Sequence, residues 1–405
     1  LRVAFVLQDL QLSGGVGVIV EHARHLRADH GIDAQLVLAR EELHPRWPFR
    51  GLDEVPVLGY EEALAQQWDI GVATWWQTTS VLFHLQCERY AYFIQALEDS
   101  LFRPEEPERI AAALTTALPV RFITEAQWIV EMIDRLQPGN SAHYVRNGIA
   151  KDVFPPPAAV PDLGDGPLRV VIEGARDVPL KGIDQALEAA ALMAESAHVT
   201  WVAPHGTTDT PAGVDRVLSR LTHAEMAELF SESHVLLKLS RAEGMYGPPL
   251  EAFHCGATVV TTAVTGHDEY VRHGDNGLVV GWDDVHGTAR ALDLLARDRD
   301  LLAGLRAAAL ETARQWPDWP ECAAALSTAL RQIAADPSPP LRGAAQRLAS
   351  ELGTVTAELQ LRDREVENAW ASEQRLRSEK AWIWAMRARG RYHRVRDAAR
   401  RIKPR

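Results

Sequence analysis

Two glutamates, Glu243 and Glu251, bracket a Gly/Pro turn in the stretch RAEGMYGPPLEAFHCGATVVTT at 241–262. Pro248 and Pro249 lack amide protons and suit the first turn of a helix, where those donors would have no partner anyway. Gly256 is placed to stop that short helix, and ATVVTT reads as an interior parallel strand. Glu251 is expected in the helix's first turn and Glu243 in the loop that feeds it. A helix N-terminus presents free amides to an anion, and the carboxylates beside it can accept hydrogen bonds from hydroxyls. The combination suits a ligand carrying both phosphate and hydroxyl groups, with a nucleotide sugar as the leading candidate.

Two further groups fit that ligand. Arg176 and Lys181 lie in EGARDVPLKGID, after an apolar strand. Strand ends are where open α/β sheets bind ligands, and two cations there could hold a pyrophosphate and stabilise its departure. Solvated surface charges are the plain alternative. Gly14 and Gly15 follow the first strand and open a helix, so backbone could approach a phosphate or sugar closely. Their context, SGGVGV, is not G-x-G-x-x-G, and no acid ends the next strand, AQLVLA, which counts against a dinucleotide dehydrogenase. The paired glutamates also raise a glycoside hydrolase, whose carboxyls must oppose each other across the scissile bond. One glutamate on a helix and one in its feeding loop fit hydroxyl binding better, and a hydrolase has no use for a phosphate clamp.

The elements that must position these groups alternate as in an α/β protein. RVAFVL, AQLVLA, DIGVATWW, RYAYFIQ, VRFITE and HYVRNGI read as strands of a first half, with a helix over VGVIVEHARHLRADHG. LRVVIEG, HVTWVAP, HVLLKLS, ATVVTT and NGLVVG read as strands of a second, which ends in two helices around 286–315 and 320–334. The Pro/Gly-rich segment KDVFPPPAAVPDLGDGP separates the halves. The expected organisation is a Rossmann-like domain over 1–155, a second over 165–335, and a helical, coiled-coil-like segment over 341–405. A cleft lies between the two doubly wound domains.

At 405 residues, 46% hydrophobic and 24% charged, the chain can bury two full cores. A net charge of −12 argues against nucleic acid as a partner. The charge is uneven: Arg375–Arg405 holds twelve Lys/Arg and two acids. There Trp382, Ile383, Trp384 and Met386 sit among arginines, the pattern of a helix on an anionic membrane surface. The alternative for the tail is a self-associating coiled coil, with Leu348, Leu352, Val355, Leu359, Val366 and Leu376 near heptad seam positions. No apolar run nears the ~18 residues of a membrane span. Three scattered cysteines fit neither a disulfide framework nor a zinc site, so the expected setting is the reducing cytoplasm, peripheral to the membrane's inner face if the tail binds lipid.

E-x7-E within AEGMYGPPLEAFHCGATVV, R-x4-K from Arg176 to Lys181, and SGG after the first strand resemble a family 4 retaining glycosyltransferase of GT-B fold. TGHDEYVRHGDNGLVV and VRNGIAKDVF resemble the family's segments after the motif and between its domains. The likeness covers roughly residues 1–335, and ATWWQTTS with YFIQALEDSLF resembles the rhamnosyltransferase-like branch that uses dTDP-sugars. The resemblance implies that Glu243 binds donor-sugar hydroxyls and Glu251 the ribose. It implies that Met245, Tyr246, Gly247 and Leu250 line the donor, with the first three giving amides. Arg176 and Lys181 would grip the pyrophosphate, with Gly14 and Gly15 closing on it from the other domain. It also implies retention of configuration, an acceptor hydroxyl on a glycan or lipid-linked molecule, and no metal cofactor. EGMYG replaces the family's usual EGFG-type turn. The family's N-terminal-domain histidine has no counterpart, and Gln95 and Glu98 are the candidates in its place.

Other signals carry less. Asp298–Arg299–Asp300 spells D-x-D but sits in LLARDRDLLAGL, a helix junction. His22 and His25, on an amphipathic helix, read as surface or cap groups, and Trp316 and Trp319 as packing anchors where the last helices cross back. A sugar-nucleotide epimerase of the same fold is the competing enzyme and a non-catalytic sugar-binding scaffold the non-enzyme.

Overall fold

The computed structural model describes residues 1–40, 45–164, 166–204, 206–207 and 209–337, with scattered helical positions between 343 and 372. By its contacts the chain divides into two units, Leu1–Ser350 and Glu351–Arg405. In the second, the described positions are helical. The basic stretch from Arg375, and the heptad positions Leu352, Val355, Leu359, Val366 and Leu376, lie outside the described residues. Among the described residues no helix is long and apolar enough to cross a membrane.

The first unit holds two parallel sheets. One is built from β1 (Arg2–Leu7), β2 (Asp33–Leu38), β3 (Val57–Gly59), β4 (Gln67–Ala73), β5 (Gln86–Ile94), β6 (Arg121–Thr124) and β7 (His143–Tyr144), in the order β3-β2-β1-β4-β5-β6-β7. The other uses β8 (Leu168–Glu173), β9 (Ala197–Val202), β10 (Arg216–Leu218), β11 (Val235–Lys238), β12 (Thr258–Thr262) and β13 (Gly277–Val280), in the order β10-β9-β8-β11-β12-β13. Both sequences of strands run outward in one direction, return, and run outward in the other. The reversal falls between β1 and β4 in the first sheet and between β8 and β11 in the second. Such switch points, at the strands' carboxyl ends, open the crevice in which doubly wound sheets bind ligands.

Five helices accompany the first sheet in sequence: α1 (Gly14–His30), α2 (Tyr60–Leu64), α3 (Thr78–Leu82), α4 (Pro107–Thr115) and α5 (Gln127–Leu136). Six follow among the second sheet's strands and after them: α6 (Ile183–Ala191), α7 (His223–Ser231), α8 (Gly247–His254), α9 (Val285–Arg297), α10 (Arg299–Gln315) and α11 (Trp319–Ala335). The helix expected over 286–315 is two. Asp298 breaks it, its side chain accepting the Leu301 amide at 2.9 Å, so the D-x-D acid is the N-cap of α10.

Each sheet has its own core, and the last helix packs into the first. Val3, Phe5, Leu7, Leu36, Ile70, Val72 and Phe93 of the first sheet pack with Ile19, Val20 and Leu26 of α1, and also with Leu326, Leu330 and Ile333 of α11. Packing therefore assigns α11 to the first domain, although it follows the second in sequence. Asp318 starts it with a capping box shared with Glu321. His22 lies at this junction. Contrary to its expected surface position it is fully buried, 5.2 Å from Trp319 and 5.7 Å from Phe93 between ring centroids. Burial, with His25 nearby, lowers its pKa to about 3, so it is a neutral core group. The linker is held as well: Arg306 donates to Gly256 O and Pro161 O, and Arg314 to Pro157 O and Ala158 O.

Where α11 meets the first domain there is no room for a side chain at Gly148, since a Cβ there would lie 2.5 Å from the Trp319 nitrogen. Gly148→Ala is expected to destabilise the protein by about 1–3 kcal/mol, the usual cost of overpacking. Gly304→Ala, within α10 where a Cβ meets nothing within 4 Å, is expected to stabilise it by about 0.5–1 kcal/mol. Thermal melts of the two variants check the pair of opposite signs.

Candidate functional site

The loop Leu239–Tyr246 leaves β11 at the second sheet's switch point and delivers Glu243 to the crevice. The adjoining turn after β8 supplies Lys181, whose Nζ donates to Glu243 Oε1 at 2.8 Å. Gly182 permits this approach: it has φ +63°, and a Cβ there would fall 2.1 Å from Leu239 O. Burial pushes the Glu243 carboxyl up, but Lys181 and Lys238 outweigh it and hold the group below its ordinary value. Glu243 is therefore an anion at neutral pH.

Tyr246 anchors the loop from below. Its side chain is fully buried, and its hydroxyl donates to Lys238 O at 2.9 Å and meets Thr261 Oγ1 at 2.7 Å. Tyr270 OH donates to Tyr246 O. The altered EGMYG turn thus places its aromatic ring in the core. Leu250 is also fully buried, so its side chain belongs to the packing under α8. Glu251 departs from its expected place in the first turn. The helix starts at Gly247, so Glu251 is its fifth residue and opens the second turn. Burial raises the pKa of this half-buried carboxyl, and His223 and Lys238 oppose the rise while Glu173 adds to it.

The first domain closes on this loop. Gly244 is pressed against Gln95, where a Cβ would lie 1.5 Å from the Gln95 carbonyl oxygen. Trp128 Nε1 donates to Gly244 O at 3.1 Å. The Gln95 side chain turns the other way and donates to Gly15 O at 3.3 Å. Gly15, Gln95 and Gly244 are thereby brought together, and Gly14 stands beside them with open space where a Cβ would be. The same is true of Gly247. Glu125, at the end of β6, reaches across and accepts the Met245 amide at 3.1 Å on one oxygen and Asn147 Nδ2 at 2.7 Å on the other. The Met245 amide, expected to be free for an anion, therefore has a carboxyl on it. Glu269 closes the same seam, accepting from Gln127 N and from Tyr144 OH at 2.7 Å.

Two expected site residues have partners other than the Glu243–Tyr246 loop. Arg176 is half exposed and its Nε donates to Asp184 Oδ1 on α6 at 2.6 Å. Glu98 is 3% exposed and accepts the Trp76 amide, with the Tyr92 phenol beside it. It lies in the short helical turn that follows β5 of the first domain. Residues that sequence reasoning passed over are Glu125, Trp128, Asn147, Glu173 and Lys238. Only Lys238 left a local trace, as a charge inside the apolar strand VLLK, where a buried ammonium requires a partner. Among the described residues no group of three or more His, Cys, Asp or Glu side chains could hold a metal ion.

Residues 168–298 match the family described as glycosyl transferases group 1. A stretch of 87 residues is 36% identical to N-acetyl-alpha-D-glucosaminyl L-malate synthase of Bacillus anthracis. That stretch is 22% of this chain and spans 23% of the relative's length. Among solved structures, Anabaena HepE in complex with UDP and glucose aligns with TM-score 0.66 at 16% identity, covering 82% of this chain and all of that one. Sucrose-phosphate synthase of Thermosynechococcus elongatus gives 0.65 at 16%, over 82% and 99% of the two chains. WaaG, a glycosyltransferase involved in lipopolysaccharide biosynthesis, gives 0.60 at 15%, over 82% and 100%. The fold is GT-B. The match to glycosyl transferases group 1 falls within the second of its two parallel-sheet domains.

The buried carboxyls leave a signature in stability. Burial raises Glu98 from 4.5 to about 8, against the Tyr92 and Trp76 hydrogen bonds. Between those values the folded state keeps a proton that the unfolded chain has released. Glu98's contribution is thus fully present below 4.5 and is lost as pH rises toward 8. Glu98→Gln, which can still accept the Trp76 amide, is expected to remove a stability slope of about 1.4 kcal/mol per pH unit. Denaturant titrations of both proteins at pH 5.5, 6.5 and 7.5 check this, the gap between them closing as pH falls.

Proposed function

We propose that this chain transfers a glycosyl group, with retention, from a nucleoside-diphosphate sugar to an acceptor hydroxyl. The observation that carries the reading is the Lys181–Glu243 pair at the second sheet's switch point, 2.8 Å apart and facing the first domain's Gly15 and Gln95 loops. A cation and an ionised carboxylate at one crevice match a diphosphate joined to a polyhydroxyl ring. The Anabaena neighbour is known in complexes with UDP-glucose and with UDP, which supports a nucleotide-sugar donor.

In this reading Lys181 leaves Glu243 for the donor diphosphate, and Glu243 then accepts the sugar's hydroxyls. Glu251 receives the ribose hydroxyls, and Arg176 exchanges Asp184 for phosphate. The positive charge that steadies the leaving group comes from Lys181 and Arg176, with no resident metal. Retention needs no protein nucleophile: the departing phosphate takes the acceptor's proton on the face it leaves. The protein contributes position and field, and closure of Gly15 and Gln95 over the loop excludes water. The acceptor belongs to a cell-surface glycan, and the basic stretch from Arg375 brings the enzyme to the anionic membrane surface where a lipid-linked acceptor would sit.

Incubation with a panel of UDP-, GDP- and dTDP-sugars, with and without glycan acceptors, tests the reading. Transfer supports it, an interconverted donor would make the protein an epimerase, and no change would make it a binding scaffold. Glu251→Ala is expected to weaken nucleoside-diphosphate binding at least tenfold, because a charge-assisted hydrogen bond contributes about 1.5–3 kcal/mol. Calorimetry on the folded variant measures it, and unchanged affinity would remove Glu251 from the site. Lys181→Ala should cut turnover roughly a hundredfold while raising KM much less, as expected for a group that acts mainly on the leaving charge.

A further inference from the structure

We propose that Glu125 is a positioning residue of the donor site, which carries the mutual placement of the two domains into the loop that holds Glu243. The inference rests on the donor-site reading above. Two side chains of the first domain, three residues apart, grip one peptide group of the second. Trp128 Nε1 donates to Gly244 O at 3.1 Å, and Glu125 Oε1 accepts the Met245 amide at 3.1 Å. The peptide between Gly244 and Met245 is thereby fixed at both its oxygen and its nitrogen. Glu243 directly precedes it. From its own domain Glu243 is held by Thr265 Oγ1, which donates to its carbonyl at 2.7 Å, and by Lys181 on its carboxylate at 2.8 Å.

The other oxygen of Glu125 leads to the place where the chain crosses between domains. It accepts Asn147 Nδ2 at 2.7 Å, and Asn147 O accepts Trp316 Nε1 at 2.9 Å. Asn147 stands just after β7, where the chain leaves the first domain, and Trp316 between α10 and α11, where it returns. The two crossings also touch directly, Ile149 N donating to Pro317 O at 3.4 Å. A continuous series of hydrogen bonds thus runs from the crossing through Asn147 and Glu125 to the Met245 amide. Glu125 and Asn147 are both buried. Burying a carboxyl is unfavourable, and an apolar side chain would fill the seam without that penalty. What an apolar group cannot do is accept one chosen amide, and the carboxyl here does so. With the peptide held, Glu243 faces the crevice in one orientation. With it free, the loop can turn and Glu243 loses its alignment with the donor.

Two substitutions separate this role from simple filling of the seam. Glu125→Met occupies a similar volume but offers no acceptor. Glu125→Gln keeps an acceptor for the Met245 amide, and its own amide can pair with Asn147, whose Oδ1 is buried without a partner. Glu125→Met is expected to lower kcat for donor turnover by about tenfold or more. KM for the nucleotide sugar should stay within about threefold, because the grip on the nucleotide lies in the second domain. Glu125→Gln should restore kcat to within about threefold of wild type. Trp128→Phe, which keeps an aromatic ring but loses the donor to Gly244 O, should show the same fall in kcat. Joined to Glu125→Met it should add little, since both changes free one peptide. If Glu125→Met fails to fold, Asn147→Ala, which leaves Glu125 without its second partner, should show that fall instead. Hydrogen exchange at the Met245 amide reads the same contact without turnover. It should be fast in Glu125→Met and slow in wild type and Glu125→Gln. Wild-type kcat or wild-type exchange in the folded Glu125→Met protein, or a Glu125→Gln variant as slow as it, overturns the role of Glu125. A wild type that protects this amide but turns over no UDP-, GDP- or dTDP-sugar overturns the donor-site reading instead.

Discussion

The crevice depends on how closely two backbones can approach at Gly244. The peptide after Glu243 runs between the Gln95 carbonyl of one domain and Gly266 of its own, where a Cβ would lie 2.0 Å from Gly244 O. No side chain fits at either glycine. Because the loop is this thin, Trp128 can reach Gly244 O and Glu125 can reach the Met245 amide. Those bonds in turn set where Glu243 stands relative to Gly15. The catalytic geometry proposed for this chain is therefore a property of the seam between the two domains rather than of either one.

What sequence could reveal followed from range. Apolar strand runs, the proline pair at the start of α8 and the glycine at 256 act within a few residues, and they gave the two sheets, the α8 hairpin onto β12, and the positions of Glu243 and Lys181 on neighbouring strand ends. Gly256 has φ +82°, as a helix stop there requires. Where the outcome depended on a distant partner, local pattern could not see it. His22 looked like a surface residue because its helix alternates polar and apolar groups; α11, nearly three hundred residues later, covers that face. Glu98 entered the reading only through the resemblance, and its burial with the Trp76 amide on its carboxyl had no local sign in the sequence. The partner of the Met245 amide is 120 residues upstream. The division of the 286–315 helix shows a nearer limit: Asp298 was legible as a junction, but both flanks are good helix formers, so its strength as a cap was not.

Charged groups of the second domain are matched in pairs before any ligand arrives. Lys181 is on Glu243, Arg176 on Asp184 and Lys238 on Glu173. Ion pairs near the surface contribute little to stability, so in the proposed reading their exchange for a diphosphate would cost the fold little. The buried pair differs, because neither partner can be exchanged without leaving a charge in a poor solvent. The second domain thus combines two half-exposed cations on surface pairs with one buried cation on a fixed partner.

The return of α11 to the first domain bears on synthesis. Its leucines complete, beside α1, the core over the first sheet, yet they are made only after the whole second domain. A nascent chain emerging from the ribosome must therefore carry the first domain with an uncovered apolar flank while the second domain forms behind it. Completion of the first core is a late, long-range event, slow by the measure of sequence separation. Until α11 docks, the surface around His22 and Phe93 is the face of the nascent protein that a chaperone would find to hold.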